Sequence, residues 1–142
     1  MKKWELSKEQ AIEEHRKMWG WIYDTVKNRI KSGNYKKGGT FNYMDIDAIL
    51  LKIEYLKRFY PYFEPLQNSC FLCEYTSCNT FLNCKEACPV KWAKGECMTP
   101  GSEYVEVFHM TLQIRETGNI PEDYLETIKN IRDLPVKENT ND

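Results

Sequence analysis

Cys70–Cys97 reads CFLCEYTSCNTFLNCKEACPVKWAKGEC and holds every cysteine of the 142-residue chain, at positions 70, 73, 78, 84, 88 and 97. Thiols gathered so densely imply cross-linking at one place, by a metal ion or by disulfides. The sequence on either side must then supply the core around that centre.

Before this stretch, two helices are expected. Ser7 and Gln10 have the spacing of a capping box, in which each side chain satisfies the other residue's free amide. Ile12, His15, Trp19, Ile22, Val26 and Ile30 follow at steps of three and four, with Met18 and Trp21 widening the face. Gly33 suits the left-handed residue after a helix, so the first helix should run from about 7 to 32. His15, on the apolar stripe, reads as a packed or hydrogen-bonded histidine. A second helix should start near Asn42 or Asp45 and end before Pro61, with Ile46, Ile49, Leu50, Ile53, Leu56 and Tyr60 buried and Glu54 paired with Arg58 outside.

After the cysteines, residues 103–117 fit a helix with Tyr104, Phe108, Thr111, Leu112 and Arg115 along one side, although Val105, Val107, Thr111 and Ile114 also suit a strand. Pro121 suits the first position of a last helix whose core face is Tyr124, Leu125, Ile128, Ile131 and Leu134. The fold class expected is therefore mainly α: a small bundle of about four helices with an irregular, metal-stapled Cys-rich insert. A single domain is expected over 1–135, including a zinc module at 66–100, with 136–142 expected as a flexible tail.

Cys70-x2-Cys73 is a common first half of a zinc site, because a short turn aims two thiolates at one ion. The second half is irregular. Cys70, Cys73, Cys88 and Cys97 are the expected ligands of one structural Zn²⁺, with Cys84 as the substitute and the other ligand sets open. Cys84-x3-Cys88-Pro89 echoes the end of a ferredoxin pattern, but the wider Cys73–Cys78 and Cys78–Cys84 gaps break it. Three disulfides would also use an even cysteine count. A catalytic thiol would need a general base, and the chain has only His15 and His109. No histidine–carboxylate signature of a catalytic zinc is present, so no catalytic residue is assigned and a non-enzymatic protein is expected.

Residues 33–40, GNYKKGGT, resemble a phosphate loop only in glycine spacing, since Gly39 stands where the lysine is needed. Lys36 and Lys37 remain the candidate ligand-binding pair for an anion. A net charge of −1 argues against a general nucleic-acid or membrane-surface role. The charged start MKKWELSKEQ lacks the apolar segment of a secretory signal, which points to a reducing cytoplasm where thiols meet metals rather than disulfides.

Trp19 and Trp21, then Cys70, Cys73, Glu74 and Tyr75, then Cys88, Pro89, Val90, Trp92 and Cys97 resemble small Cys-rich hypothetical proteins of phages of Gram-positive bacteria. The resemblance implies a phage accessory protein, active in the cytoplasm of a bacterial host and directed against host defence. The partner expected is a host protein or a small signalling molecule. Nucleic acid, served by Lys85, Lys91 and Lys94 and offset by Glu86 and Glu96, is the second reading. A thiol or iron–sulfur redox protein is the third.

Overall fold

Ser7 and Gln10 form the expected capping box: the Ser7 Oγ accepts from the Gln10 amide at 3.1 Å, and the Gln10 Oε1 accepts from the Ser7 amide at 2.8 Å. In this computed structural model, which describes residues 1–36, 40–76 and 87–137, the cap opens helix α1, Lys8–Ser32. Gly33 closes it at φ 73°, where a side chain would be strained. Ala11, Ile12, His15, Met18, Trp19, Ile22 and Val26 are buried along its length, and each large apolar side chain so removed from water contributes about 1.5–3 kcal/mol.

The second helical region divides in two. Tyr43–Ile46 forms a single 3₁₀ turn, and α2 runs from Ala48 to Phe59. Asp47 separates them and caps α2, accepting from the Ile49 and Leu50 amides at 2.9 and 3.1 Å. The break resets the angular register, which moves by about 100° for each residue of helix. The buried residues of α2 are therefore Ala48, Leu51, Lys52 and Tyr55. Leu50 and Ile53, expected inside, are 37% and 42% exposed. Among the described residues Glu54 and Arg58 form no ion pair, and Arg58 lies over the Phe59 ring instead.

A short helix not foreseen in the Cys-rich stretch, α3 at Phe71–Thr76, packs on α1 through fully buried Phe71 and Leu72. Residues 103–117 are helical: α4, Glu103–Thr117, buries Val107, Met110, Thr111 and Ile114. Phe108, expected on its inner side, is exposed. Pro121 lies in a turn before the last helix, α5 at Tyr124–Arg132, whose cap position is Asp123. Tyr124, Ile128, Ile131 and the following Leu134 are buried as expected.

The protein is thus mainly helical, with five α-helices and no strands among the described residues. Helix α1 is the spine: α5, α3 and α2 all pack on it, and α4 spans α5 and α2. Tyr124 ties α5 to α2, its hydroxyl donating to the Ile46 carbonyl at 2.6 Å and accepting from the Ala48 amide at 2.9 Å. Two isolated bridges fasten extended segments, Lys2 beside Phe63 and Val90 beside Val136. Among the described residues no helix is long and apolar enough to cross a membrane.

Candidate metal centre

Two separate pieces of chain meet at the cysteines. The first turns sharply into α3. Asn68 and Ser69 adopt left-handed φ angles of 55° and 51° in succession, a conformation unfavourable for residues other than glycine and one that marks constrained sites. The turn is held at its base by the Ser69 amide, which donates to the Leu66 carbonyl at 3.0 Å. Cys70 follows at once, and its carbonyl accepts from the Glu74 amide at 3.0 Å to start the helix. Buried Phe71 and Leu72 anchor that helix, which places Cys73 beside Cys70.

The second piece is laced to the start of α4. The Ser102 Oγ donates to the Glu96 carbonyl at 2.6 Å and accepts from the Lys94 amide at 3.2 Å. Glu103 accepts from the Ala93 amide at 2.9 Å. These bonds fix the turn that carries Cys97. Cys88 is fixed from the other side, because the next residues pair with the segment after α5: the Lys91 amide donates to the Pro135 carbonyl and the Lys137 amide to the Pro89 carbonyl, both at 2.8 Å.

Cys70, Cys73, Cys88 and Cys97 line one cavity of about 10 Å³, completed by Leu72, Thr76 and Trp92. That is room for about one water-sized sphere, the scale of an ion and far below a metabolite pocket of about 300–1,000 Å³. None of the four thiols is in a disulfide. Among the described residues no group of three or more His, Cys, Asp or Glu side chains is placed so that it could hold a metal ion as it stands. The four thiols face a shared space.

Their acidities are unequal. The Cys73 thiol, bonded to Cys70, lowers the Cys70 pKa, helped by the Lys52 charge and by the amides of Cys73 and Leu72, while burial opposes it. The same bond, with burial, raises Cys73. Burial raises Cys88, against the opposing effects of the Val90 amide and the Trp92 side chain. Cys97 is pushed up to about 12 by burial first, then by the charges of Cys70, Glu96 and Cys88. Four thiolates cannot share this space unless a cation offsets their mutual repulsion, and a bound dication deprotonates coordinating thiols outright.

Of the residues singled out by sequence, Cys70, Cys73, Cys88 and Cys97 are brought together. Cys78 and Cys84 lie outside the described residues, as does Lys37. Lys36 is exposed beside Tyr35, its Nζ 5.4 Å from the ring centre. His15 is a packed, hydrogen-bonded residue: fully buried, its Nε2 lies 2.9 Å from the Ile131 carbonyl. Sequence reasoning missed Asn68, whose left-handed backbone turns the chain into Cys70, and Lys52, whose ammonium reaches the Asn68 carbonyl at 3.5 Å. A lone lysine inside the apolar run AILLKIEYL was the available signal for Lys52.

The fold and site define a small mainly helical protein with four reduced cysteines around an ion-sized cavity. No family model, no curated protein and no solved structure matches the chain.

Proposed function

We propose that Cys70, Cys73, Cys88 and Cys97 hold one structural Zn²⁺, and that the protein is a non-enzymatic binding protein whose fold this ion completes. The observation that carries the reading is the convergence of four thiols, from two separate chain segments, on a cavity of ion size. Soft thiolate donors suit zinc, and a set of four leaves no open position for a reacting water. The strained Asn68–Ser69 turn supports the reading, because it aims Cys70 and Cys73 at one point. Binding would tie α3 to the segment that leads into α4, so metal affinity would add directly to folding stability.

The resemblance to phage accessory proteins suggests the partner class, a host protein or a small signalling molecule in the bacterial cytoplasm. Elemental analysis of protein purified without chelator should find about one zinc per chain. Stoichiometric iron, or no metal with four reactive thiols, overturns the metal reading. Retention of a partner from bacterial lysate by the metal-bound protein, and its release on chelation, would support the binding role.

A second reading rests on the Cys70-x2-Cys73 spacing and on both free thiols lining the same cavity. Two free thiols three residues apart, in a Cys-x-x-Cys arrangement, resemble a redox pair. A Cys70–Cys73 disulfide that forms reversibly in mild oxidant, in protein free of metal from the outset, would favour it.

A further inference from the structure

Lys52 is the unusual residue near the cysteines. It is 4% exposed, and among the described residues it forms no ion pair with a carboxylate. Its ammonium donates to the Tyr104 hydroxyl at 2.9 Å and reaches the Asn68 carbonyl at 3.5 Å. It also lies 4.6 Å from the centre of the Tyr104 ring. Among the described residues neutral groups alone hold it. Glu96, the buried carboxylate that acts on Cys97, is hydrogen-bonded to Thr99 and makes no ion pair with Lys52. A buried ammonium without a counter-charge is costly, and folds keep one only where an opposite charge answers it.

Asn68 connects Lys52 to the site. Its carbonyl faces the ammonium, and Cys70 lies two residues on in the same turn. Four thiolates around a dication carry a net charge of −2, in a place screened from water. The two irregularities, a buried cation without an anion and an anionic centre without a cation, answer each other.

We infer that Lys52 is the built-in counter-ion of the four-cysteine centre, a positioning residue that ligates nothing itself and sets how tightly the thiolates hold their metal. The inference rests on the zinc reading above. It identifies the centre as anionic when loaded, and it makes the α2–Tyr104–Asn68 contact part of the metal site.

The test compares Lys52→Met, which removes the charge and keeps the length, with Lys52→Arg, which keeps the charge. Zinc affinity of the full chain is measured against a chromophoric chelator at pH 7. Lys52→Met should loosen zinc about 10–100-fold, the usual effect of losing an outer partner of a metal ligand, and Lys52→Arg should stay near the wild type. Thermal melts with and without chelator give the second readout. Lys52→Met should melt lower than wild type when loaded, and no lower when stripped, because stripping leaves the wild-type ammonium unanswered. Should Lys52→Met fail to fold, Lys52→Gln removes the charge while keeping a donor for the Tyr104 and Asn68 contacts.

Equal zinc affinity in wild type and the neutral variant overturns the role of Lys52 and leaves the zinc centre standing. An equal fall in melting temperature with and without metal also overturns it, since the residue would then act only through its hydrogen bonds. A wild type that binds no zinc overturns the zinc reading and this inference with it.

Discussion

Protonating His15 opposes folding. The ring is buried among α1, α5 and Trp92, its centre 6.4 Å from that indole and its Nε2 donating to Ile131. Burial first, then the nearby charges of Lys52 and Arg16, lower its pKa from 6.5 to about 4, against the Ile131 hydrogen bond that raises it. Above pH 6.5 neither the folded nor the unfolded chain carries this proton. Between 6.5 and about 4 the unfolded chain takes it up and the folded chain does not, so stability falls with pH; below about 4 both carry it and this loss levels off. At about 1.4 kcal/mol per pH unit, the interval amounts to about 3 kcal/mol. His15→Gln removes the titration and at pH 7 loses the Ile131 bond and ring packing, at about 1–3 kcal/mol. Urea unfolding of both proteins in chelator, which removes the separate acid sensitivity of bound metal, should show that deficit at pH 7 and its disappearance near pH 4. A difference between the two proteins that stays constant over this range would refute the reasoning. So would an NMR titration of the His15 ring, with His109 the only other histidine, centred near 6.5.

Three further outcomes are expected. Tyr124→Phe should cost about 1–3 kcal/mol in chemical unfolding, because it strands the buried Ile46 carbonyl and Ala48 amide; a loss below about 0.5 kcal/mol would contradict that joint. Leu51→Ala should cost about 2–5 kcal/mol and Ile53→Ala about 0.5 kcal/mol or less, so melts that rank the two in the reverse order would refute the register of α2. In metal-loaded protein, Cys73→Ser should lower the melting temperature far more than Cys78→Ser, since losing a ligand removes several kcal/mol of coupled metal binding, on the order of the energy that folds small zinc domains; equal melts would remove Cys73 from the ligand set.

Much of the helical framework was legible because it depends on local signals. The Ser7–Gln10 cap, the α1 stripe and Gly33 are each decided within a turn or two of chain, and the structure reproduces them. The inner face of α2 was not legible, because Asp47 both breaks and caps the helix, and a periodic count carried across it from Ile46 drifts to the wrong side. In α4 the count followed aromatic size, Tyr104 and Phe108, whereas packing against α5 selected Val107, Met110 and Ile114. The four cysteines could be chosen by turn geometry and loop bracketing. Lys52 and Asn68 could not, since their roles come from contacts between α2, α4 and the turn before α3, which no short-range pattern encodes.

The pairing of Val90 with Val136 has a consequence for the order in which the protein is completed. A chain emerging from a ribosome exposes Cys70 and Cys73 early, followed by Cys88 and Cys97, yet the backbone around Cys88 is fastened only when Pro135 and Lys137 arrive to bond Lys91 and Pro89. The last described stretch of the chain therefore acts as a latch on the cysteine half made long before it. Nascent chains halted before residue 135 would hold every thiol and most of the helices but lack that latch. The cysteine centre would then report that synthesis has passed residue 137, because its second half takes its final shape only at that point.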